Sequence, residues 1–136
     1  MASSDQARIN LRVIHGALVV SVLLVVGVLF LLGRVAPGAV VDLGVPLRTV
    51  GFVAGVGAVL AFVVLRGRIQ PAEADDAAAA GRTFVAAVVL WALLEGLATL
   101  GAVFWYLTGE LVLLATPTGV GLVLLIAARP GSLLES

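Results

Sequence analysis

The chain has 136 residues, 62% of them apolar and 12% charged, with a mean hydropathy of +1.22 and a net charge of zero. A soluble domain is about half apolar and a quarter charged, so this composition excludes a water-soluble globule, and the absence of a basic surface excludes nucleic-acid binding. With no cysteine and one histidine, the chain has no disulfide framework, thiolate metal site or multi-histidine centre, and no cofactor is implied.

Four apolar runs follow one another, separated by clusters of charge, glycine and proline. The first, residues 13–32, makes about 30 Å of helix, the hydrocarbon thickness of a bilayer. Arg8 and Arg12 precede it as a signal peptide would require. However, the run is longer than a usual signal core and Arg34 follows it directly, so a retained helix is expected. The second run needs residues 47–49 to reach a full span and is read as 47–65. The third, 83–108, is the longest and is expected to tilt or project. The fourth, 111–128, is interrupted by Pro117. No run alternates with period two, as a spanning barrel would. The expectation is a single all-α domain over residues 1–136, a four-helix transmembrane bundle joined by one longer loop, 66–82.

Arginine placement orients the bundle. Arg8, Arg12, Arg66, Arg68, Arg82 and Arg129 fall on one side, and only Arg34 and Arg48 on the other. Both termini and the loop are therefore expected in the cytoplasm, with the protein multi-pass in a cytoplasmic membrane. Within the loop, Pro71, Glu73, Asp75, Asp76 and the alanines after them read as a helix start in a solvated linker. Gly81 is expected to end or bend that helix.

Glu95 lies at the midpoint of the longest apolar run. An ionised carboxylate at the bilayer centre costs about 2.5–3.5 kcal/mol on insertion scales. No arginine lies in the interior of any run to neutralise it, Arg48 being at the edge of the second. The simplest resolution is a proton, because desolvation favours the neutral acid, and a group so poised can take up and release protons. Helical spacing surrounds Glu95 with Val88, Trp91, Ala92, Ala98, Thr99 and Ala102, most of them small. The bulky residues Leu90, Leu93, Leu97, Leu100, Phe104 and Leu107 lie opposite. Small residues mark close helix contact in lipid, so Glu95 is expected to face another helix and the leucines the acyl chains.

Matching depths brings Ser21, Thr99 and Thr118 to the same level as a supporting polar layer of hydroxyls. Gly51, Ala54, Gly55, Ala58 and Ala61 give the second helix a small-residue stripe. With Ala98 and Ala102 on the third, that stripe predicts a tight hairpin with the carboxyl at its core. His15 reads as an interfacial residue, Trp91, Trp105 and Tyr106 as ordinary membrane aromatics, and Pro117 as a tolerated kink. No phosphate loop, zinc helix, nucleophile elbow or dinucleotide fingerprint occurs, so an enzyme is not expected.

The stretch from Gly51 to Leu107 resembles the hairpin of rotary ATPase proteolipid (c) subunits. Arg68-Ile69-Gln70-Pro71 is similar to that family's polar turn, and Ala92-Leu93-Leu94-Glu95-Gly96-Leu97 to its carboxyl segment. The resemblance implies that Glu95 binds and carries an ion. The proteolipid glycine run is represented here only by Gly51, Gly55 and Gly57, and the first and fourth helices have no proteolipid counterpart. The whole chain also resembles small uncharacterised four-helix bacterial membrane proteins, which share Leu11-Arg12-x-Ile14-x-x-Ala17-Leu18 and a similar Ala-Leu-x-Glu on the third helix. This likeness implies a bacterial inner membrane.

Two functions are therefore expected. In one, Glu95 handles protons or cations within a homo-oligomer or larger membrane complex. In the other, the chain is a non-catalytic accessory or assembly subunit and Glu95 only hydrogen-bonds neighbouring helices.

Overall fold

A computed structural model describes residues 2–35, 44–69 and 77–130. They form four helices, with no strand among the described residues: α1 (Ala2–Val35), α2 (Gly44–Arg68), α3 (Ala77–Thr108) and α4 (Leu111–Ala127). Over Arg8–Val35, Val45–Arg68 and Gly81–Thr108, the first three are long and apolar enough to cross a membrane, and α4 is a shorter apolar helix. The architecture is that of a multi-pass membrane protein.

The first three helices run past the apolar stretches that announce them. Hydrophobicity marks only the length a bilayer would cover, while the helical backbone continues into polar sequence. In α1 the added turns include Gln6, whose side-chain amide donates to Asn10 at 3.1 Å one turn on. Pro46 lies inside the first turn of α2 rather than before it, where its missing N–H costs nothing. Gly81 neither ends nor separates a helix. The alanines from Ala77 carry α3 straight through it, since alanine is the strongest helix former. The expected helix start at Pro71 lies outside the described residues.

α3 ends at Gly109, whose φ of +70° is a left-handed conformation suited to glycine, and whose N–H donates to the Trp105 carbonyl at 2.7 Å. The chain then reverses into α4. That helix is α-helical over Leu111–Leu113, π-helical over Leu114–Thr118, and α-helical again over Gly119–Ala127. The wide turn surrounds Pro117, which has no N–H and would crowd the carbonyl four residues back in a regular helix.

α3 is the hub, packed against α1, α2 and α4. His15 of α1 meets Trp91 near one end, and Phe30 and Gly33 meet Trp105 near the other, so α1 and α3 run parallel. α4 runs antiparallel to α3, with Gly121 against Leu94 and Ala98, and Leu113 and Thr118 against Gly101. α2 joins this layer through Gly51, which sits against Pro117 and Leu113, and through an Arg48–Glu110 ion pair. The core comprises Leu11 and Val22, Ala58 and Phe62, Leu125, and a continuous strip of α3 from Ala87 to Ala98. The outward faces are apolar: Leu24 is 62% exposed and Phe52 70%. Water would not tolerate so large a surface, and lipid covers it at no cost.

Candidate functional site

The buried strip of α3 contains Ala87, Leu90, Trp91, Leu94, Leu97, Ala98, Gly101 and Ala102. Its outward face contains Val85, Ala92, Gly96 and Val103. Glu95 falls between the two, half-buried on the flank. Among the described residues its carboxyl makes no hydrogen bond and no ion pair.

The expected lipid-facing leucine surface is reversed in part. Leu90 is fully buried, Leu97 is 5% exposed and Phe104 9%, while Leu93 and Leu107 do face outward. Bulky side chains on this helix thus occur both in the core and on its outward face. Small ones serve two places: Ala98, Gly101 and Ala102 where a neighbour comes close, and Ala92 and Gly96 on the outside.

The contacts along α3 set the level of the remaining candidates. His15 beside Trp91 and Gly33 beside Trp105 place Ser21 within about one helical turn of the Glu95 level. Gly121 against Leu94 and Ala98, and Gly51 against Pro117, bring Thr118 and Ala58 within a similar distance. These residues share a layer without forming one bonded cluster. The Thr118 hydroxyl donates to the Ala98 carbonyl at 2.8 Å, across the α3–α4 contact. Ser21 and Thr99 are half-buried and make no hydrogen bond to Glu95. Among the packing residues, Gly51, Ala58, Ala98 and Ala102 are buried, whereas a side chain at Gly55 would find open space. α3 and α4 approach closely: a Cβ at Gly121 would lie 2.8 Å from the Leu94 carbonyl oxygen, and one at Gly101 2.9 Å from that of Leu113.

A second polar group lies one turn from Glu95 along α3. Trp91 is fully buried and its indole N–H donates to the Ala128 carbonyl at 2.7 Å. His15 lies edge-on to that ring, centroids 5.0 Å apart, with Nε2 2.8 Å from the Leu125 carbonyl oxygen. Both side chains meet carbonyls at the end of α4, where a helix leaves its last carbonyls without intrahelical donors. Trp91 is therefore a core residue, and His15 is half-buried between helices. The spacing of Trp91 with Ala87, Leu94 and Ala98 on one helical strip was the available sequence signal.

Among the described residues, no group of three or more histidine, cysteine or carboxylate side chains could hold a metal ion. Compared with protein-family models, curated proteins and solved structures, the chain matches none.

Proposed function

We propose that this protein handles protons or monovalent cations through Glu95, within a homo-oligomer or larger membrane complex. The observation that carries this reading is a carboxyl in the middle of a membrane-length helix, half-buried, with no bonded partner among the described residues of its own chain. In hydrocarbon such a group needs a proton, an ion or a neighbour. Its place on the flank of α3, beside the exposed Ala92 and Gly96, leaves it open to a second chain. We place both termini inside, from the concentration of arginine at one end, and the protein in a bacterial cytoplasmic membrane, from its resemblance to small four-helix bacterial membrane proteins. The alternative, in which Glu95 serves only to tie helices together, calls for a bond to a neighbouring helix, and none is made among the described residues.

The test is carbodiimide labelling of the protein in its native membrane, with mass spectrometry to locate the adduct. The protonated acid reacts with the reagent, giving its proton to a carbodiimide nitrogen and adding its oxygen to the central carbon. Labelling at Glu95 should rise as pH falls if the group exchanges protons, and fall with added sodium if it binds that ion. Glu95→Gln should abolish labelling while shifting stability by no more than about 0.5 kcal/mol. A Glu95 unreactive at every pH and salt concentration would overturn the reading.

A further inference from the structure

We propose that Arg34, held over the Phe30 ring, binds the phosphate of one anionic phospholipid whose acyl chain lies along α1. The Arg34 guanidinium carbon sits 4.9 Å from the centre of the Phe30 ring. Phe30 in turn stacks on Trp105 of α3, with ring centres 5.8 Å apart and planes 17° from parallel. Gly33 lets this ladder form, because a Cβ there would meet the Trp105 ring at 3.2 Å. Two helices thus hold one cation at the rim of the bundle. The ring attracts the charge of the guanidinium, while its five N–H donors form a fork that fits a phosphate. Among the described residues Arg34 makes no ion pair and no hydrogen bond. The indole N–H of half-buried Trp105 likewise has no acceptor among them.

Charge at this end favours an anionic headgroup. Arg48, also at this end, is paired with Glu110. Among the described residues Arg34 is therefore left as a cation without a counter-ion, and no carboxylate is left over. A lipid with one phosphodiester and no ammonium, such as a phosphatidylglycerol, matches that balance. A zwitterionic lipid brings a second cation with no described carboxylate to meet it. The face next to Arg34 favours a lipid over free phosphate. Phe30, Gly27 and Leu23 precede Arg34 by four, seven and eleven residues and so share its face of α1. All three are exposed, Phe30 at 41% and Leu23 at 56%, and nothing lies within 4 Å of a Cβ at Gly27. Eleven residues make about 16 Å of helix, close to the half-thickness of about 15 Å that one leaflet's chains fill.

The experiment uses the full chain in phosphatidylcholine vesicles, with chain-brominated phosphatidylglycerol or chain-brominated phosphatidylcholine as quencher of Trp105 fluorescence. Trp105→Phe gives the background from buried Trp91, whose emission also reports that each variant is folded. Phosphatidylglycerol should bind beside Trp105 about fivefold more strongly than phosphatidylcholine, the scale of one arginine near an anionic headgroup. In Arg34→Gln the preference should fall to within about twofold of unity, and in Phe30→Leu it should fall by about twofold or more. Glycerophosphoglycerol, the same headgroup without chains, should not reduce the quenching. Asp42 lies outside the described residues, and Asp42→Asn should change the preference by less than about twofold. Equal binding of the two lipids in the wild-type protein, or a preference that survives Arg34→Gln, would overturn the site. A fivefold rise in Asp42→Asn would show that Arg34 is already neutralised within its own chain, and would overturn it equally. Displacement by the chainless headgroup would overturn the placing of the acyl chain.

Discussion

The Thr118 hydroxyl donates to the Ala98 carbonyl oxygen at 2.8 Å, and this bond lies between two glycines, Gly101 and Gly121, that let α3 and α4 approach to backbone contact. The bond and the close approach depend on each other: Thr118 reaches across only because no side chain separates the two helices.

Glycines on the two sides of α3 should therefore behave differently. Gly101→Ala and Gly121→Ala each place a methyl group within 3.0 Å of neighbouring backbone atoms, and each should cost about 1–3 kcal/mol. Gly55→Ala meets nothing within 4 Å and should stay within about 0.5 kcal/mol of wild type. Thermal unfolding in one mild detergent compares the three variants directly, and equal shifts would contradict the packing described.

Trp91 should anchor the end of α4 through its N–H and not only through its bulk. Trp91→Phe keeps an aromatic ring and leaves the Ala128 carbonyl without its donor, a loss of about 1–3 kcal/mol for a buried group. Amide exchange should quicken over Leu124–Ala128, whereas exchange at Gly109, at the far end of the bundle, should not change.

The Arg48–Glu110 pair should contribute little. Its side chains are 57% and 28% exposed, and exposed pairs contribute less than about 1 kcal/mol. A double-mutant cycle with Arg48→Gln and Glu110→Gln should give a coupling energy below that value, shrinking further as salt is raised.

The four helices and the wide turn at Pro117 illustrate what apolar runs and proline convey. Stretches of bilayer length announce a helix, and a residue without an N–H announces a local departure from it. Helix ends were less legible, because Ala77–Gly81 and the turns before Val13 are helical without being apolar. The partners of α3 were less legible still. Small residues occur on both sides of this helix, and their identity alone does not separate Gly101, pressed against Leu113 and Thr118, from Gly96, with nothing near it. The level of Glu95 followed from counting along the runs. Its half-buried flank position depends on where α1, α2 and α4 dock around α3, which is tertiary information. The contacts of His15 and Trp91 are tertiary information in the same sense: each side chain meets a carbonyl at the end of α4 only because that end docks beside it.

The π turn in α4 means that this helix contains one residue more than a regular helix of the same reach would need. A single deletion elsewhere in the described helices rotates everything downstream by about 100° and turns a buried strip toward lipid. Within Leu114–Thr118, the same deletion would remove the surplus and leave Gly121 and Leu125 facing α3. This segment is where the chain is best able to change its length without losing its fold.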